Sequence, residues 1–117
     1  MNVEELREYC LSLGDDVDER LPFVKFKAAQ GVLVFYVLEH MFCYFNLDDF
    51  NVITLKCQPE KIVLLREKYD CVCNPYNANP KHWIGLRVLE AKNSLVKELV
   101  SNSYEIVKAK YKKNKRK

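Results

Sequence analysis

Three consecutive stretches of β-branched and aromatic residues, separated by very short connections, most constrain what this chain can fold into. They cover residues 32–38, 41–47 and 52–57, and the first two are joined by little more than Glu39-His40. Connections this short cannot hold a crossover helix, so they join antiparallel neighbours. These stretches are therefore predicted to form three adjacent strands of one antiparallel sheet.

Helical patterns lie on both sides of this strand-rich segment, because apolar residues there recur every three or four positions. The predicted helices cover residues 3–13, 59–69 and about 93–110. In the second helix, Val63 and Leu64 are expected to widen the buried stripe.

Two further strands are predicted between the second and third helices, at residues 71–73 and 82–89, with a turn-rich loop between them. Residues 15–20 are expected to form a solvated acidic loop, and residues 23–27 partly alternate as in a strand. The resulting order is α-β(3)-α-β(2)-α. It predicts an α+β two-layer sandwich, with an antiparallel sheet of about five strands and helices on one face.

The chain has 117 residues, 49% of them hydrophobic, which is enough for one core without disulfides or metals. We expect residues 1–111 to form a single domain and residues 112–117 to form a basic, frayed tail.

Cysteine usage indicates a reducing compartment, because five cysteines cannot all pair within the chain. Cys10, Cys43 and Cys57 lie in apolar patterns and are predicted to be buried thiols. Cys71 and Cys73 are expected to place one thiol inward and one outward. The acidic N-terminus leads straight into a helical pattern, so we expect no signal peptide, no membrane association and a cytoplasmic location.

The positive charge is concentrated at the C-terminus. Residues 1–107 hold 12 basic and 16 acidic side chains, whereas the last ten residues hold seven basic ones and no acid. Such a tail attracts nucleic acid. The alternative is a solvated helix end, where lysines also suit the helix dipole.

No motif for catalysis or metal binding is evident. Cys71, Cys73 and His82 lack the spacing of the common zinc patterns, and nothing orients Cys73 and His82 as a nucleophile and base. We therefore predict no catalytic residue, no metal, no cofactor and no enzymatic activity. An enzyme acting on small molecules would need a deep pocket lined by Cys73, Tyr76 and His82.

The stretch from residue 74 to residue 87 combines amide donors, cations and aromatic rings, which is typical of a nucleic-acid surface. Trp83 is the ambiguous member, because an aromatic at a strand start also packs into cores. With the basic residues of the preceding strand and the tail, the predicted nucleic-acid-binding residues are Lys56, Tyr76, Asn77, Asn79, Lys81, His82, Trp83, Arg87, Lys112 and Lys113.

Five segments, in order along nearly the whole chain, resemble the MmcQ/YjbR family of small bacterial proteins. The most recognisable is Lys81-His82-Trp83; the others are residues 4–13, residues 55–60 followed by 65–67, residues 103–105 and residues 108–110. The resemblance implies a secretion-chaperone-like α+β fold and DNA binding.

Two departures from the family pattern affect this region. The family has Tyr-His-Met before Lys-His-Trp, whereas this chain keeps Tyr76 but has Asn77 and Ala78. It also has Gln58 where the family has Asp. A charged donor is therefore lost at Asn77.

Two functions are predicted from these observations. The first is a non-catalytic DNA-binding protein that uses the basic and aromatic residues around Lys81-His82-Trp83 together with the lysine-rich C-terminus. The alternative is a protein-interaction module, chaperone-like or homodimeric, because residues 41–45 have more large side chains than one buried face accepts.

Overall fold

The strand-rich segment forms the centre of a six-stranded, wholly antiparallel sheet in the structure, a computed structural model that describes residues 1–112. The strands are β1 (Val17–Arg20), β2 (Val32–Val37), β3 (His40–Asn46), β4 (Val52–Lys56), β5 (Val72–Cys73) and β6 (Trp83–Arg87). Their order across the sheet is β1-β2-β3-β4-β6-β5. The predicted α+β class and antiparallel sheet are confirmed, with one strand more than the five expected.

The additional strand is β1, which occupies the region predicted to be an acidic loop. It pairs with β2 at the edge of the sheet, where charged residues are tolerated because one side of the strand faces solvent. Glu19 is further held by Arg7 of the first helix, at 2.6 Å. The expected alternation at residues 23–27 does not form a strand; these residues belong to a loop that contains a short 3-10 helix, Lys27–Ala29.

Three α-helices complete the fold: α1 (Val3–Ser12), α2 (Pro59–Lys68) and α3 (Asn93–Lys112). α1 begins with a capping box, in which the Glu5 N–H donates to Asn2 Oδ1 at 2.8 Å and the Asn2 N–H donates to Glu5 Oε1 at 2.9 Å. None of these helices is long and apolar enough to span a bilayer, within residues 1–112.

The helices lie mostly on one face of the sheet, and the core fills the space between them. Side chains that alternate along the strands point into this layer and are almost completely buried. They include Leu33, Phe35, Cys43, Phe45, Ile53, Leu55, Ile84 and Leu86, and they pack with Leu6, Cys10, Val96, Val100 and Tyr104 of the helices.

An irregularity between β2 and β3 adds a further ring to this core. The pairing register shifts between Phe35 and Tyr36, and Phe42 is consequently buried against Tyr104 with 5.5 Å between ring centroids. The buried Ser103 hydroxyl of α3 accepts from the Lys56 N–H at 2.9 Å and donates to the Phe42 carbonyl. Ser103 thus fills a gap in the β3–β4 ladder.

A polar cluster ties the loop after α1 to α3. Tyr104 donates its hydroxyl hydrogen to Asp16 Oδ1 at 2.7 Å, and Lys108 Nζ lies 3.0 Å from Asp16 Oδ2. The Tyr104 hydrogen bond is the main cause of a lowered pKa at Asp16, and the same hydroxyl is the main cause of a raised pKa at Lys108. Both ionised forms are therefore stabilised in the folded chain.

The burial of α2 differs from expectation. Ile62 is buried, but Val63 and Leu64 are 60% and 65% exposed, so the prediction that they widen the buried stripe is wrong. The predicted burial of the Cys10, Cys43 and Cys57 thiols is confirmed.

Candidate nucleic-acid interface

The face of the sheet turned away from the core, here called the outer face, has an unusual row of residues across its centre. The pairing register places Tyr44 opposite Thr54, Thr54 opposite Gly85, and Gly85 opposite Cys73. These residues alternate with buried core residues, so they belong to the opposite face. Gly85 therefore leaves a gap at the centre of this row.

The loop of residues 74–82, here called the crossing loop, runs back over that row. The Asn74 carbonyl lies directly where a side chain at Gly85 would begin. Further along, the Tyr76 N–H donates to Thr54 Oγ1 at 3.3 Å, and the Tyr44 hydroxyl donates to the Tyr76 carbonyl. The loop is thus fixed by its backbone, on a path that Gly85 leaves open.

The groups that hold the crossing loop are themselves constrained. Burial raises the pKa of the Tyr44 hydroxyl, which keeps it protonated and able to donate. Arg66 of α2 donates to Asn74 Oδ1 at 2.7 Å. Asn77 has a positive φ of 50°, a conformation that asparagine tolerates better than most residues. The Tyr76 ring is left 56% exposed.

Lys81-His82-Trp83 lies at one end of β4 and β6. Trp83 opens β6 opposite Lys56, whose Nζ is 5.3 Å from the centre of the indole ring. Tyr44 packs on the same indole, with 6.2 Å between ring centroids, and Trp83 is half-buried. One portion of the Trp83 ring thus packs and another remains accessible, and its contact with nucleic acid stays a prediction.

Backbone hydrogen bonds shape this end of the sheet. The N–H groups of His82 and Trp83 donate to the Asn79 carbonyl at 3.1 and 3.0 Å, and the Cys57 N–H donates to the His82 carbonyl at 2.9 Å. Asn79 Oδ1 also accepts from the Lys81 N–H. The side chains of Lys81 and His82 remain exposed.

Arg87 is placed apart from these residues. It lies at the other end of β6, four residues or roughly 13 Å from Trp83. Its guanidinium donates to the Asp70 carbonyl and lies 3.2 Å from Glu90. Its charge is therefore used within the fold, and the structure does not group it with Lys56 and Lys81.

The predicted residues of the C-terminus lie on the helix side. Lys112 is exposed at the end of α3, next to Tyr111, whose ring stacks on His40 with 3.3 Å between centroids. Lys113 lies outside the described residues.

Two adjoining clefts open on the outer face and share Val32, Tyr44 and Tyr76 as walls. The first holds about 280 Å³ and has Asp49 at its rim; the second holds about 200 Å³ and extends to Phe23 and Asn77. Tyr44 and Phe23 were not among the site residues predicted from the sequence. The alternation of β3 around Cys43 and Phe45 was the available signal for Tyr44; for Phe23 there was none.

Acidic residues are scarce in the segments that form the middle of the outer face. The segments that form β2, β3, β4, β6 and both loops beside the clefts hold no aspartate or glutamate. They are residues 21–38, 40–47, 50–59 and 71–89. The same segments carry four lysines: Lys25, Lys27, Lys56 and Lys81. Glu39, in the β2–β3 turn, is 3.2 Å from Arg20. The middle of the outer face is thus cationic although residues 1–107 are acidic overall, while Asp18 of β1 lies at its edge and Asp49 at the rim of the first cleft.

Two observations bear on metal binding and catalysis at this surface. Within residues 1–112 no cluster of three or more His, Cys, Asp or Glu side chains is arranged to hold a metal ion. Tyr76 lines both clefts described above, but Cys73 and His82 line neither.

Comparison with known proteins gives consistent results. The YjbR family model matches residues 12–106. A crystal structure of a Deinococcus radiodurans protein with a DUF419 domain is 28% identical, with a TM-score of 0.79, over 92% of this chain and 78% of that chain. A crystal structure of a Pseudomonas syringae protein is 23% identical, with a TM-score of 0.75, over 92% of this chain and 99% of that chain, and indicates the same fold. No curated protein matches the chain.

Proposed function

The chain belongs to the YjbR family, and from this premise we propose that it is a non-catalytic nucleic-acid-binding protein whose interface is the outer face. The observation that carries the proposal is the charge of the segments beside the clefts, since residues 21–38, 50–59 and 71–89 hold four lysines and no acid, and Asp49 lies at the rim of one cleft. Phosphate contacts supply most of the affinity of such proteins, and a surface with few carboxylates favours them.

We infer different roles for different side chains. Lys25, Lys27, Lys56 and Lys81 neutralise phosphates, while the accessible parts of Trp83 and Tyr76 contact bases or sugars. With about four phosphate contacts, the logarithm of the affinity falls with the logarithm of salt concentration at a slope near −3 to −4. Binding is therefore expected to be modest and strongly dependent on salt.

The test is a titration of labelled single-stranded and duplex DNA by fluorescence anisotropy at salt concentrations of about 50 to 200 mM. The double variant Lys56→Gln/Lys81→Gln should weaken binding and reduce the salt slope by about 2. A matched variant on the helix side, Lys68→Gln/Lys97→Gln, removes the same charge and should retain the slope.

A chain ending at Lys112 separates the outer face from the C-terminal lysines. Binding at low salt should persist in this shortened chain. If neither the full chain nor the shortened one binds at low salt, the proposal is wrong; if only the full chain binds, the interface is the tail instead.

A second candidate function is protein interaction through α2. Val63 and Leu64 are exposed side by side, and a groove of about 430 Å³ between α2 and α3 adjoins Leu64. Sedimentation over a range of concentrations would show self-association, which Leu64→Glu should abolish. A monomer at every concentration would count against a homodimer.

The cellular location belongs to the same proposal. A cytoplasmic protein fits the five free cysteines, four of them buried, since cytosolic thiols are kept reduced. Subcellular fractionation would test it.

A further inference from the structure

The second cleft on the outer face is lined by two aromatic side chains that come from different loops. Phe23, from the loop of residues 21–31, lines one part, and Tyr76 of the crossing loop lines another. Tyr44, Met41 and Val32 from β2 and β3 complete the lining with apolar and aromatic surface. No charged side chain lines the cleft, so a ligand would be recognised there by shape, stacking and hydrogen bonds.

Asn77 supplies the polar group of this cleft. It is exposed at the rim, and its amide makes no hydrogen bond to another group within residues 1–112. An amide offers both donors and an acceptor, which is the combination presented by the edges of nucleobases. The cleft therefore joins ring faces with one amide, within a volume of about 200 Å³.

The surroundings of the cleft are complementary to phosphate. Lys25 and Lys27 are exposed in the loop that carries Phe23, and Lys81 is exposed in the crossing loop that carries Tyr76. Neither loop holds an aspartate or glutamate. An apolar peptide would gain nothing from these lysines, whereas a nucleotide could place its phosphate near the lysines and its base in the uncharged cleft.

We propose that this cleft binds an unpaired base, so that the outer face binds single-stranded nucleic acid in preference to duplex. The inference rests on the proposed function and specifies its ligand. Bases in a duplex already stack on their neighbours, so aromatic side chains reach their faces only in single strands. The lysines contact phosphates of either form, and the cleft provides the discrimination.

The test compares an oligothymidylate of about 12 nucleotides with a duplex of the same length, using the full chain. The single strand should bind about 10-fold tighter, within the contribution expected of one base stack. Tyr76→Ala should weaken single-strand binding by roughly 5- to 100-fold and change duplex binding by less than about 2-fold. Tyr76→Phe should keep the wild-type affinity.

Several controls make the result specific. The crossing loop is held through the Tyr76 backbone, by Thr54 and Tyr44, so Tyr76→Ala leaves its anchors in place. Leu64→Ala removes an equally exposed apolar group from α2 and should have no effect. A strand of abasic phosphodiesters should bind the wild type no more tightly than oligothymidylate binds Tyr76→Ala, because it also loses any base contact at Trp83.

The outcomes distinguish the two proposals. Equal binding of single strand and duplex, or of the abasic and thymidine strands, would overturn the base-binding cleft and leave nucleic-acid binding standing. Absence of binding to every probe at low salt would overturn the proposed function itself.

Discussion

The helix-covered face and the outer face of the sheet are built from alternate residues of the same strands, yet they are covered by different means. On the covered face, large apolar side chains such as Phe35, Phe42 and Phe45 fill the space beneath α1 and α3. On the outer face, the crossing loop lies on the sheet through backbone hydrogen bonds and a missing side chain at Gly85. One face depends on apolar volume, and the other on a few polar anchors.

This difference leaves the Tyr76 side chain of the crossing loop free to serve binding. Because the backbone holds the crossing loop, the Tyr76 ring contributes little to its position. The acids are concentrated on the helices, on β1 and in turns, where they form ion pairs such as Arg7 with Glu19. A single antiparallel sheet can thus separate a stabilising face from a contact face.

The largest expected change in the free energy of unfolding distinguishes the two faces directly. Phe35→Ala removes a fully buried ring and should lower the free energy of unfolding by about 3–5 kcal/mol. Tyr76→Ala removes a half-exposed ring and should lower it by less than about 1 kcal/mol. Denaturant titrations measure both quantities, and similar losses for the two variants would contradict the comparison.

A second variant tests whether the covered face also depends on a polar anchor. Ser103→Ala leaves the Lys56 N–H and the Phe42 carbonyl without their bridging hydroxyl, at a cost of about 1–3 kcal/mol. Hydrogen exchange of the Lys56 amide should accelerate more than that of the Ile53 amide in the same strand. A neutral substitution would show that the ladder closes without Ser103.

The path of the crossing loop gives a third test. Gly85→Ala places a methyl group against the Asn74 backbone carbonyl and should destabilise the fold by about 1–3 kcal/mol while displacing Tyr76. Gly31→Ala is the matched control, because its new methyl group meets only side-chain atoms, of Asp48 and Asn46, and no backbone. Thermal unfolding of both variants measures the difference, and equal shifts would argue against the proposed path.

The smallest expected effect is on the pH dependence of stability, and it concerns Asp16 on the helix-covered side. The pKa of Asp16 is lowered in the folded chain, so its contribution is present above the unfolded pKa of about 3.9 and is lost as pH falls through the lower folded value. Asp16→Asn should therefore make the free energy of unfolding fall less steeply below about pH 4. Identical acid dependence in the two proteins, measured by denaturant titration, would exclude this role.

Much of the fold could be predicted from local patterns. The strands β2, β3 and β4 have apolar and β-branched runs with short connections, and α1 has its capping residues in the expected positions. These features depend on neighbouring residues, which a single sequence shows. The buried cysteines followed from the same periodicity.

The features that escaped prediction depend on long-range contacts. β1 is a charged segment that becomes a strand because β2 offers an edge and Arg7 offers a partner for Glu19. Val63 and Leu64 match a helical stripe but face solvent, because α2 packs mainly through Ile62.

The candidate site was predicted in part. Lys81-His82-Trp83 and Tyr76 were recognised by their chemistry, and the structure places Lys56 beside Trp83 through strand pairing. Arg87 was grouped with them by its charge, although the predicted strand already placed it four residues from Trp83; its contacts with Asp70 and Glu90 were not evident from the sequence. The base-sized cleft was missed because its walls come from segments more than 50 positions apart, Phe23 and Tyr76.

The half-buried position of Trp83 has a practical consequence for spectroscopy. It is the only tryptophan in the chain, so the intrinsic tryptophan fluorescence excited near 295 nm arises beside Lys56, at the end of β4. An oligonucleotide that stacks on or beside the indole should quench that emission, whereas a partner docking on α2 should leave it unchanged. The unlabelled chain therefore contains its own optical reporter of which face is occupied.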